Sequence, residues 1–95
     1  MRAVGARVSG VPTSMTYRYR PEVLAQLAVH GVVPRDTTRP ELVREFVNDL
    51  YRYELRRLRD RLLRHEFPKS QYLGLVAQMR NRYAVLSRRI WEWTQ

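Results

Sequence analysis

Glu54, Arg57, Arg61 and His65 recur at steps of three and four residues, so a helix through them would line up a carboxylate, two guanidinium groups and an imidazole. Such a row can bind a small anion, because guanidinium is a planar fork that meets carboxylate or phosphate through two parallel hydrogen bonds. A second row, Arg52, Arg56 and Arg59, points outward on the same stretch and contains no acid. Its chemistry is recognition of an anionic surface. Near the C-terminus, Arg88 and Arg89 precede Trp91, and Trp93 follows two residues later. Two residues of helix turn a side chain by about 160°, so the indoles leave in opposite directions and at least one quits the core. Tryptophan exposed beside arginine is a frequent anchor of protein interfaces, which makes Arg52, Arg56, Arg59 and Trp91 the expected partner-binding residues.

Catalysis finds little to work with. His30 and His65 are the only imidazoles, both fall at expected helix ends, and neither stands in a recognisable arrangement with a serine nucleophile. Glu41, Glu45 and Asp49 share one helical face, but it lies opposite the apolar stripe and reads as a solvated row. A di-metal bundle site needs inward carboxylates and a Glu-x-x-His pair, and no such pair occurs. The chain has no cysteine, which removes disulfides, thiolate metal ligands and thiol nucleophiles together. The expectation is a non-enzymatic protein with no catalytic residues, no metal site and no cofactor. A small helical enzyme binding an anionic metabolite through Glu54, Arg57, Arg61 and His65 is the remote alternative.

Charge narrows the partner. The formal net charge is +9, and Lys69 is the only lysine among 18 basic residues. Drift in a G+C-rich genome can produce the arginine bias, but not the excess over nine acids. Arginines at positions 52, 56, 57, 59, 61 and 64, with Tyr51 and Tyr53 beside them, suit RNA or DNA through phosphate contact and base stacking. Against that, Glu54 and Asp60 are spaced to pair with Arg56, Arg57 and Arg64 along the helix. A helix-turn-helix is disfavoured by a connection of about eight residues where three or four are needed, and by Glu41 and Glu45 at the tip of the would-be recognition helix. The leading expectation is therefore an interaction or assembly module that docks on an acidic protein partner or self-associates. Nucleic-acid binding is the alternative.

These side chains need an all-α frame of three helices in one domain, residues 17–95, preceded by a flexible basic arm, residues 1–16. Pro21 suits a first helical position, Glu22 the first turn, and Gly31 a left-handed stop, with Val23, Leu24, Leu27 and Ala28 as the apolar stripe. After a loop over 32–39, Thr38 and Glu41 have the spacing of a capping box, and an uninterrupted run predicts a second helix over 41–67, about 40 Å long. Its apolar residues form two sets, Leu42, Val43, Phe46, Leu50 and Tyr53, then Tyr51, Leu55, Leu58 and Leu62. The first half would cover helix one and the second half would pack on helix three. Helix three is expected after Pro68, capped by Ser70, and to run to the C-terminus as a heptad seam of Tyr72, Val76, Met79, Tyr83, Leu86, Ile90 and Trp93. That long antiparallel hairpin leaves elongated surfaces for a partner or a second copy.

Leu50, Tyr51 and Arg52, followed by Leu55 and Arg56, resemble the signature of the LYR-motif family, small basic three-helix adaptors that bind acyl carrier protein and assist assembly of mitochondrial complexes. Here the tripeptide falls mid-helix after a complete extra helix, whereas that family has it near the start. What the resemblance implies is an acidic protein partner. No stretch is long and apolar enough to predict an integral membrane segment: positions 23–33 are the longest uncharged run, about half a span, and include His30. A cytoplasmic location is expected. The acid-free run carrying Arg2, Arg7, Arg18 and Arg20 has the composition of an organellar import signal, and Met15 is an alternative start.

Overall fold

Two prolines open the first two helices of the computed structural model, which describes residues 15–95. Helix α1 spans Pro21–Ala28 and α2 spans Pro40–Leu63, each preceded by an extended arginine. Proline has no N–H to lose at a helix start, and its ring holds the residue before it in extended geometry. That second effect dismantles the expected capping box. Arg39 would have to be helical for Thr38 to be the cap, but it precedes Pro40 and sits at φ −67°, ψ 133°. The Thr38 hydroxyl instead accepts the Arg35 N–H at 3.1 Å and closes the turn before the helix.

Both helices stop in the same way. After α1, Gly31 takes φ 74°, with Val32 N–H donating to Leu27 O and Gly31 N–H to Ala28 O. After α2, His65 takes φ 60°, with Glu66 N–H donating to Arg61 O and His65 N–H to Leu62 O. This is a left-handed helix stop at each end. It ends α2 at Leu63, not at Phe67, because a left-handed residue at position 65 cannot continue the helix. The Arg61 and Arg64 guanidinium groups then clasp Glu66 at 3.0 and 2.9 Å.

A short 3-10 turn, Lys69–Gln71, leads into α3, Tyr72–Arg82. Ser70 lies inside that turn and Gln71 is the cap position, without a side-chain bond. The largest departure follows. Helix α3 ends at Arg82, and the chain continues through 3-10 turns at Ala84–Ser87 and Ile90–Glu92 separated by extended Arg88 and Arg89. No proline or glycine marks the break. Its physical reason is burial: Val85, which a straight heptad would leave off the seam, and Trp93 are both fully enclosed with Val23, Leu27 and Val47.

The second half of α2 packs on α3, while its first half meets the Ala84–Ser87 and Ile90–Glu92 turns. Helix α1 lies chiefly on the Ala84–Ser87 turn. Residues 18–20 pair with residues 93–95 beside it: Arg20 N–H donates to Trp93 O and Gln95 N–H to Arg18 O, around an isolated antiparallel bridge between Tyr19 and Thr94. Tyr17 N–H reaches Asp36 O, and the Tyr19 hydroxyl donates to Thr38 O at 2.5 Å. Most of the expected arm, residues 1–14, lies outside the described residues. The described part is all-α, and none of its helices is long and apolar enough to cross a membrane.

Candidate functional site

Helix α2 turns Val43, Val47 and Leu58 into the core, which leaves the opposite side of the helix to solvent. On that side Leu42, Phe46 and Tyr53 are each at least half exposed. Beside them run Glu41, Glu45 and Asp49 in the first half and Arg52, Arg56 and Arg59 in the second, all exposed. Arg52 bonds Asp49 at 3.2 Å between two exposed side chains, a pair of small energetic weight. Among the described residues Arg56 and Arg59 have no carboxylate partner.

The carboxylates expected to neutralise the arginines along the helix do otherwise. Glu54 reaches across to α3, where one oxygen accepts from Arg82 at 2.7 Å and the other from the Tyr83 hydroxyl at 2.6 Å. Tyr83 is enclosed, stacked on His30 with ring centroids 4.0 Å apart and tilted against Tyr51 at 4.8 Å. Burial and the Glu54 carboxylate raise its ionisation well above the ordinary tyrosine range. His30 Nε2–H donates to Arg82 O at 2.8 Å, so this knot ties the ends of α1 and α3 to the middle of α2. Sequence spacing could not reveal Tyr83 as the Glu54 partner, because 29 residues separate them. Asp60 pairs with no arginine among the described residues.

Of the expected anion site, Glu54, Arg57 and Arg61 do come together, joined by Arg82, around an open depression of about 350 Å³. His65 does not join them; the left-handed turn carries it to the hairpin tip beside Leu62, Phe67 and Lys69. Arg61 is engaged by Glu66, whose carboxyl is held below its usual range by hydrogen bonds from Arg64 and Arg61. Arg57 sits 6.0 Å over the Tyr53 ring. A carboxylate at the centre and a guanidinium already paired leave little positive potential for a dianion. No group of three or more acids and histidines that could hold a metal ion occurs among the described residues.

At the C-terminus the two indoles part. Trp93 is fully buried, whereas Trp91 is 65% exposed with the Arg89 guanidinium 5.1 Å above its ring. Leu50 and Tyr51 of the Leu50-Tyr51-Arg52 tripeptide are partly buried against the chain's own core, and of the three only Arg52 is exposed. No family model, curated protein or solved structure matches the chain.

Proposed function

We propose that the protein is a non-enzymatic interaction module that docks on a protein surface bearing acidic groups, through the solvent side of α2 and the exposed Trp91. The observation that carries this reading is the mixture on α2. Unpartnered Arg56 and Arg59 share a face with Glu41, Glu45 and Asp49 and with exposed Leu42, Phe46 and Tyr53. A protein surface can match apolar groups and both signs of charge at once. A phosphate backbone cannot, since it gains from the arginines and is repelled by the three carboxylates.

Nucleic acid is the competing class, and one titration separates the two. Binding of a labelled single-stranded RNA should be weak and lose little between about 50 and 200 mM salt if the protein reading holds. Tight binding that falls steeply over that range, with a slope that shrinks in Arg56→Ala and Arg59→Ala, would replace it with the nucleic-acid reading.

A further inference from the structure

The central charges on the solvent side of α2 have mirror positions of opposite sign. About the midpoint between Leu50 and Tyr51, Asp49 mirrors Arg52 and Glu45 mirrors Arg56; the exact mirror of Glu41 is Asp60, and Arg59, one residue short of it, lies on the same flank as Glu41. These side chains are all exposed on one unbroken helix, Pro40–Leu63. At 100° per residue, Leu42, Phe46 and Tyr53 fall within about 40° of one another and form a seam. The acids and their mirror arginines lie about 20° to 100° from Leu42 on the same side of that seam.

Resting on the docking reading above, we infer that the partner of this face is a second copy of the chain, its α2 antiparallel to the first across a two-fold axis near Leu50 and Tyr51. In an isologous contact residue i meets residue j and j meets i. Antiparallel helices bring each flank against the same flank of the partner, so Asp49 and Glu45 of one copy face Arg52 and Arg56 of the other and Glu41 comes beside Arg59, while Asp60, at the same helical angle as Leu42, faces Glu41 as the one like-charged approach. Phe46 comes within about 3 Å, measured along the axis, of the partner's Tyr53. At the centre the two Asp49–Arg52 pairs meet as an alternating cluster. A parallel pair would instead set one flank against the opposite one, and Arg56 against Arg57. The helix dipole does not account for the pattern, because its influence ends within the first and last turns while Asp49, Arg52 and Arg56 are mid-helix. The paired flank is itself neutral, so contact there adds none of the +9 carried elsewhere.

The test is charge reversal and its repair, read by sedimentation of the purified full chain over a dilution series. Wild type should dimerise. Glu45→Arg alone and Arg56→Glu alone should each weaken the dimer by about tenfold or more, since each puts two like-charge contacts into the dimer, one on either side of the axis. The double variant Glu45→Arg with Arg56→Glu restores opposite signs and should return to near the wild-type constant. Circular dichroism of all three, whose changes are at exposed positions, establishes that they fold. A monomeric wild type, or a double variant as weak as the singles, overturns self-pairing. The RNA titration decides the broader docking reading independently, so the two can fail separately.

Discussion

The hairpin has a closed end and an open tip, and they are built on different terms. At the closed end Tyr19, Val23, Leu27, Val47, Tyr83, Val85 and Trp93 come from the segment before α1, from α1, from the first half of α2 and from the tail after α3, and are nearly or fully enclosed. Beyond Leu58 and Met79, the tip buries nothing completely. Leu63 and Leu73 are 64% and 78% exposed there, and the turn is held by surface contacts such as Arg61 and Arg64 on Glu66. Two helices alone cannot wrap their own apolar stripes. The closed end succeeds because α1 and the refolded tail supply the missing layer.

The strongest way to break that contrast is Trp93→Ala, which should cost about 3 to 5 kcal/mol by denaturant unfolding. Phe67→Ala at the tip removes a half-buried ring and should cost well under half as much. Equal losses would mean that the tip is as well packed as the base. Trp93→Phe should be far milder than Trp93→Ala, because it keeps a ring and deletes an indole N–H that has no acceptor among the described residues.

A smaller effect reads the polar knot. The Tyr19 hydroxyl is pushed up to about 12, first by burial and then by the Glu41 carboxylate, and Tyr83 is raised further by burial and Glu54. The unfolded chain ionises both hydroxyls near pH 10, before the folded chain does. Stability is therefore intact below about pH 10 and falls as pH rises towards 12 and beyond. Tyrosinate absorbance at these two positions should appear only with loss of helix. Tyr83→Phe at neutral pH should cost about 1.5 kcal/mol by leaving Glu54 one donor short, and should flatten the alkaline decline. Release of all six tyrosines near pH 10 in a folded chain would contradict the enclosure of the closed end.

How far the sequence reached follows the same division. Prolines and periodicity announce local events, and Pro21, Gly31 and the run after Pro40 placed α1 and α2 to within a few residues. The tail break was not legible, because positions 83–93 contain no breaker and a heptad continues through them. Only the pull of a shared core against Val23 and Leu27 folds Val85 and Trp93 inward, and that is a long-range effect. The surface rows behaved similarly. Outward Arg52, Arg56 and Arg59 follow from helical spacing, whereas the reach of Glu54 to Tyr83 depends on where α3 docks. The left-handed geometry of His65 removed it from the anion row, and histidine, although commoner than most residues there, is a weak signal of that geometry.

Helix α3 offers a test of the tip without touching any contact. A methyl group built on Gly74 would meet nothing within 4 Å, so no neighbouring helix demands the glycine. Gly74→Ala should stabilise the chain by about 1 kcal/mol through helix propensity alone. A loss would show that something approaches this face.

The finest comparison is between the two left-handed stops. Gly31 and His65 make the same pair of backbone bonds, but a residue with a Cβ pays about 1 to 2 kcal/mol in that conformation and glycine does not. His65→Gly should therefore stabilise, by about 1 kcal/mol at most, since the extra backbone freedom of glycine in the unfolded chain offsets part of the relief. Gly31→Ala should destabilise by a similar amount, although no atom lies within 4 Å of the added methyl, because the strain is in the backbone and not in a clash. Both changes are read as shifts in the denaturation midpoint at constant slope. The His65 side chain is exposed, so its loss removes little packing to confuse the result. If His65→Gly instead destabilised the chain, the imidazole would be making a contact at the tip that outweighs backbone strain, and the tip would be better held than its exposed leucines imply.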